Sequence, residues 1–312
     1  MKKNWINLFV ALLLFIPLRF LQVSIDYHRK LEDLETGLLL LPGQAAGSLV
    51  LSGFKGLAAD LLWLNVEEYW HSGQHYKMLP LLEAVAWLQP TYITVWAVGG
   101  WHMAYNIYVQ VGQNESKLSE ELEKMKQSWS LQEKTKYRVL EEALAENKTI
   151  LEQLDKKGKT DELVRDYLNR LENYEQKINL LAEEEKENKA IETVKSLLHI
   201  PRNKIYWYQQ GVQFLKKGIT YNPDKYDLYF ELGWTYYHKG MDYPNAVKYL
   251  EKAIKHPHPD YVDDVLAHAY EKNGQIQKAI AQWEYLMEKA PSFRSIAERM
   301  IHDLKTKGKA TP

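Results

Sequence analysis

Residues 227–291 read DLYFELGWTYYHKGMDYPNAVKYLEKAIKHPHPDYVDDVLAHAYEKNGQIQKAIAQWEYLMEKAP, and one pattern occurs in them twice. In the first copy Tyr229, Leu232, Gly233 and Tyr236 precede Ala246, Leu250, Ala253 and Pro257. In the second, Leu266, Ala267 and Tyr270 precede Gly274, Ala279, Trp283 and Pro291. Apolar residues recurring at intervals of three and four mark helices. Small residues such as Gly233, Ala246, Ala267 and Ala279 let two helices cross closely, while the large ones fill the gaps between layers. Pro257 and Pro291 lack a donor N–H and end the second helix of each copy. The unit is a helical hairpin. One hairpin cannot bury its apolar face alone, so two of them predict more.

These residues resemble the tetratricopeptide repeat, a unit of about 34 residues with W-x2-L-G-x2-Y on its first helix, an Ala on its second and a closing Pro. Working outward, the pattern recurs from Ala59 to Pro90, with Leu62, Trp63, Val66 and Tyr69 on the first helix, Gly73 at the turn, and Met78, Leu82 and Val85 on the second. A further first helix opens after Pro90 with Val95, Trp96, Gly99, Gly100 and Met103, and no second helix follows it directly. A suitable partner comes only at Tyr206–Tyr221, before Asn222-Pro223. The reading is a split repeat, with helices at about 92–111 and 203–221 and an insertion between them. After the last repeat, Phe293, Ile296, Ala297, Met300, Ile301 and Leu304 form an amphipathic helix that caps the terminal apolar face.

The insertion, 113–200, differs in composition from its flanks. Between Glu115 and Lys195, 20 residues are acidic and 16 basic, and Gly158 is the only glycine. Apolar residues keep spacings near three and four on both sides of that glycine, through Leu118, Leu122, Met125 and Trp129 on one side and Val164, Tyr167, Leu171 and Tyr174 on the other. This predicts an antiparallel coiled-coil hairpin with arms of about 40 residues, with Thr160 as the N-cap of the second arm.

At the other end, Lys2 and Lys3 precede an apolar run from Trp5 to Val23. About 19 residues of helix suffice to cross a hydrocarbon core if Arg19 snorkels. A cleaved signal peptide fits the same features, but no A-x-A site follows the run, which favours an uncleaved anchor. Lys2 and Lys3 place the N-terminus inside and the body on the exported side, against the opposing vote of Arg19, Arg29 and Lys30. Residues 36–54 carry no charge, yet Pro42, Gly43, Gly47 and Gly53 make them a poor second span.

The 312 residues carry 40 basic and 41 acidic side chains, so nothing in the overall charge points to nucleic acid. Cysteine is absent, which excludes disulfides, Cys-ligated zinc, iron–sulfur clusters and thiol chemistry. No glycine-rich phosphate loop, G-x-S-x-G or supported carboxylate pair appears. His71 and His75 stand four apart, but Ser72-Gly73 puts them across a turn, and no third ligand accompanies them. Asp60, in an otherwise apolar helix, is expected to be buried against a capping or interhelix partner.

The expected fold is all-α: an N-terminal transmembrane helix plus a tetratricopeptide-like α-solenoid interrupted by the coiled-coil hairpin. Its parts are a signal-anchor at 1–24, a membrane-proximal segment at 25–58, repeat-like helices at 59–112, the insertion at 113–200, repeats and cap at 201–306, and a tail at 307–312. Several phrases, among them 57–63, Tyr221-Asn222-Pro223-Asp224 and 231–234, are similar to those of bacterial membrane-anchored repeat proteins. The resemblance implies a right-handed stack whose first helices form a concave face for peptides or partner proteins. That face would draw Trp63, Glu67, Trp70 and His71 from the first repeat, and Trp101 and Tyr105 from the split one. Phe230, Trp234, Tyr237 and His238 would come from the third, and Asp264 and His268 from the fourth.

The function expected is a non-enzymatic membrane scaffold in the bacterial cytoplasmic membrane, with a protein or peptide partner and no cofactor or metal. A spacer or dimerisation protein working through the coiled-coil arm is the alternative, with homo-oligomers formed by that arm. A metal- or histidine-dependent enzyme is more remote.

Overall fold

The structure is a computed structural model and describes residues 55–185 and 187–308. The expected membrane span and nearly all of the membrane-proximal segment lie outside them, as do residues 309–312. The described residues form helices, turns and loops, with no strand among them, and the fold is all-α. The described residues divide into two compact units, one ending at Val95 and the other beginning at Trp96.

In the first unit, helices α1 (Lys55–His71) and α2 (His75–Leu88) form a hairpin. Ala59, Val66, Met78, Leu82 and Val85 are among its buried residues. Gly73 closes α1 at φ +70°, with its N–H on the Trp70 carbonyl and that of Gln74 on the Tyr69 carbonyl. This pair of hydrogen bonds is the Schellman ending, which needs a left-handed residue and so favours glycine. Asp60 is exposed, and the buried carboxylate expected there is not found.

The next helix starts as α3 (Ile93–Trp101), turns π-helical over His102–Ile107 and ends as α4 (Tyr108–Gln110). Its partner lies across the insertion. In α9 (Lys189–Tyr221), Gly211 sits so close to α3 that a Cβ there would stand 2.7 Å from the Gly100 carbonyl oxygen. Gly218 likewise lies under Trp96, whose ring packs 4.7 Å from Phe214 and stacks at 5.8 Å on Tyr221. The two halves separated by some ninety residues do meet, through small residues opposite large ones.

The partner helix differs from the expected 203–221 in length. It begins at Lys189 and runs through Pro201 without a break. The N-terminal half of α9 belongs to the inserted region and its C-terminal half to the hairpin with α3, so one continuous helix joins them.

The rest of the insertion forms α5 (Glu115–Gln127), α6 (Leu131–Lys136), α7 (Arg138–Lys156) and α8 (Asp161–Glu184). Two even arms of about 40 residues are not what forms. The first breaks at Ser128–Ser130, where Ser130 and Glu133 make a reciprocal capping box that starts α6. The second stops at Glu184, and Asn188 then caps α9 through the N–H groups of Ala190 and Ile191. α5, α7 and α8 all pack against α9. Leu122, Leu140, Ile150, Leu154, Tyr167, Leu171 and Ile178 share one core with Val194, Leu198 and Ile205 of that helix. The antiparallel turn at Gly158 forms as expected, and Thr160 caps α8 by accepting from the Leu163 N–H.

The C-terminal part comprises α10 (Tyr226–Thr235), a π-helical turn over Tyr236–Gly240, α11 (Tyr243–Ala253), α12 (Asp260–Lys272), α13 (Ile276–Lys289), a 3-10 turn over Pro291–Phe293 and α14 (Arg294–Lys307). Successive helices pack as neighbours, and Leu232, Ala246, Leu250, Leu266, Ala279 and Trp283 are fully buried. Gly274 repeats the hydrogen bonds of Gly73, at φ +73°. Pro257 and Pro291 both lie just past helix ends.

Candidate functional site

The predicted face residues are distributed between the two units. In the first, Trp63 meets Tyr92 edge-on at 5.7 Å and Trp70 packs 5.5 Å from His75. His71 is exposed, 4.0 Å from the Glu67 carboxylate. Trp70 and His75 thus meet across the Gly73 turn that ends α1.

In the second unit, Phe230, Trp234 and His238 follow one another at i, i+4 and i+8. Their rings lie 5.9 Å and 3.9 Å apart in sequence, and Phe230 also meets Tyr261 of α12 edge-on at 5.1 Å. Tyr237 meets His238 edge-on at 4.9 Å and Tyr243 at 5.7 Å. Trp101 stacks on Tyr105 at 6.1 Å, one helical turn on. Asp264 and Glu271 flank His268 at 3.8 and 3.7 Å, and the His268 ring stands edge-on to buried Trp283. These contacts orient His268 within its own hairpin.

The structure adds residues that the pattern did not point to. Glu231, on the same stretch of α10 as Phe230 and Trp234, is half-buried, and desolvation with the nearby Asp227 charge pushes its carboxyl up to about 7. It acts electrostatically on Tyr105, whose own burial raises its phenol. A carboxyl with a raised pKa beside half-exposed aromatics marks a candidate functional position.

Next to Tyr105 is a concentration of lysines. The Lys239 amine lies 4.9 Å from the centre of the Tyr105 ring and 5.0 Å from that of Tyr108. The amines of Lys159 and Lys204 also lie 5.0 Å from the Tyr108 ring. Lys159, only 4% exposed, donates to the Leu154 carbonyl at 2.8 Å and the Lys239 carbonyl at 2.6 Å, while its own N–H donates to the Gly240 carbonyl. It pins the tip of the inserted region to the π-helical end of α10. Burial lowers its ammonium to about 8, against the support of Asp155 and with the help of Lys239 and Lys204. Burial lowers Lys239 as well. Tyr108 donates to Asp155 Oδ1 at 3.3 Å. Lys159 lies eighty residues from Lys239, so no periodicity could have shown this cluster.

A separate buried network surrounds Asp263, 1% exposed, which accepts from Lys289 at 2.8 Å and Gln282 at 2.9 Å and lies 3.1 Å from His258 Nε2. It ties the His256–Pro259 loop to α12 and α13, a structural role for that histidine. Among the described residues no three His, Asp or Glu side chains are grouped to hold a metal ion.

Comparison of the sequence with protein-family models and with curated proteins found no match.

Proposed function

We propose that this chain is a non-enzymatic, tetratricopeptide-like scaffold, anchored in the bacterial cytoplasmic membrane through residues 5–23, that holds a protein or peptide partner on the first-helix face of its repeats during assembly of an envelope complex. The observation that carries this reading is the Phe230–Trp234–His238 stripe beside half-buried Glu231. Aromatic side chains give large contact area for little entropy, and a carboxylate already desolvated gains when a cationic group arrives. Trp101 and Tyr105, near Glu231 through Tyr105, extend the same chemistry. Among the described residues no helix is long and apolar enough to cross a membrane, so the anchoring rests on the sequence of residues 5–23.

The test is cross-linking in native membranes read by mass spectrometry, with the wild-type chain and a Trp101→Ala plus Trp234→Ala variant. A partner recovered with the wild type and lost with the variant is expected. No partner, or one recovered equally with the variant, sinks the face as a binding surface. The spacer or dimerisation reading has less support, because the apolar seam of 113–200 is directed into its own core. What that region leaves outside is Leu131 and Leu180, 83% and 65% exposed.

A further inference from the structure

Three lysines stand around one buried tyrosine with one carboxylate between them. Lys159 and Lys239 feel Asp155 as their stabilising charge and Lys204 as a repelling one. Farther out, Glu231 acts on Tyr105, and Asp161 and Asp242 act on Tyr208, the tyrosine 5.7 Å from the Lys159 amine. Asp155 is itself tied to the Tyr108 hydroxyl. Neither the Lys204 nor the Lys239 amine has a hydrogen bond or ion pair among the described residues, which leaves their N–H donors available. Like charges crowded at a half-buried site call for a counter-anion.

The backbone is also unusual here. Both π-helical segments of the described chain, His102–Ile107 and Tyr236–Gly240, contribute to the cluster, the first through Tyr105 and the second through Lys239. π-helical turns are rare and concentrate at functional sites. At the third wall, Gly112 leaves room for Lys204, since a Cβ there would stand 3.1 Å from the Lys204 Cε.

We propose that Lys204 and Lys239, backed by Lys159, bind a doubly charged oxyanion of the phosphate-monoester class. Three ammonium groups set against the Asp155 carboxylate leave an excess of two positive charges at the centre, which a dianion balances and a single carboxylate does not. Lys159 spends two of its donors on carbonyls, so it supplies charge from behind while the two half-exposed lysines make the contacts. This site shares Tyr105 with the face proposed for a protein partner, while its lysines lie outside that face.

Titration calorimetry of the full chain with inorganic phosphate at pH 7 and constant ionic strength tests it. Saturable binding is expected, weakened at least tenfold in Lys204→Ala plus Lys239→Ala and unchanged in Lys272→Ala, an exposed lysine elsewhere. With sulfate, whose charge is fixed, affinity should fall as pH rises from 7 to 9, because Lys159 loses its proton near 8. Far-UV circular dichroism checks that the double variant is folded; if it is not, the Lys204→Gln and Lys239→Gln single variants replace it and each must weaken binding. No saturable signal above that of sodium chloride overturns the site. So does equal binding by the lysine variants, or equal loss in Lys272→Ala.

Discussion

The hairpins of 227–291 and the inserted region of 113–200 are both built from helices with apolar spacings of three and four, yet only the first could be assembled from its sequence. In 227–291 the pattern includes small residues at the crossings and a glycine at a turn. Gly233 has Leu250 and the Ala246 carbonyl where its side chain would be, and Gly274 takes φ +73°. Such positions specify which helix touches which and how closely. The inserted region has a seam and a single turn glycine. A seam says that a helix has a buried face and does not name its partner. The faces that suggested two long arms instead converge on the N-terminal half of α9.

The two regions differ most in what surrounds their turn glycines. A Cβ on Gly158, at φ +94°, would fall 2.3 Å from the Gly240 carbonyl oxygen and 2.6 Å from the Met241 Cβ, whereas one on Gly274 would meet nothing within 4 Å. Gly158→Ala is therefore expected to cost about 3 kcal/mol, from left-handed strain together with displaced backbone, and Gly274→Ala about 1 kcal/mol from strain alone. Urea unfolding of both variants measures this. Equal losses would mean that the tip of the inserted region is not docked on the π-helical end of α10.

Glu231 probes the difference between face and core within the hairpins. Its carboxyl is raised from the ordinary range to about 7 in the folded chain. The folded state then binds the proton more tightly than the unfolded state. The resulting penalty is fully present above about pH 7 and disappears as pH falls through the window down to about 4.5. Glu231→Gln should stabilise the protein by roughly 2 kcal/mol at pH 8 and have little effect at pH 4.5. A gain independent of pH, in thermal unfolding at the two values, would contradict a buried ionisable role.

The smallest effect lies at the break that sequence spacing overlooked. Ser130 accepts from the Glu133 N–H at 3.2 Å, and Glu133 accepts from the Ser130 N–H at 2.8 Å. Ser130→Ala should cost about 1 kcal/mol, as for other N-caps. If circular dichroism showed helix content rising instead, the break between α5 and α6 would be a weakness of the cap rather than of the surrounding packing.

How much was legible follows from these cases. The pairing of the helices across the insertion was readable because Gly99, Gly100, Gly211 and Gly218 place small residues on both sides of one crossing, whatever the length of chain between them. The end of the insertion was not, because Pro201 suggested a boundary while α9 carries it inside. Proline stops a helix where its ring would clash or its missing N–H would be needed, and tertiary packing can hold a helix together around it. Asp60 was misjudged for a related reason: apolar neighbours in sequence do not say which side of the helix faces the core, and Asp60 lies on the exposed side.

By itself, the sequence determined an all-α chain with hairpins at 227–291, a Thr160 cap and a turn at Gly158, since these depend on residues within a few positions of one another. It also proposed the aromatic stripe of Phe230, Trp234 and His238, because these residues recur at intervals of four along one continuous run of helical turns. Only the tertiary structure decided where the inserted helices pack, and that Lys159 reaches the Lys239 carbonyl beside Tyr108, Lys204 and Asp155. Helical periodicity carries information over a few turns. Contacts between residues eighty positions apart are set by how whole faces find one another, and the lysine cluster exists only once they have.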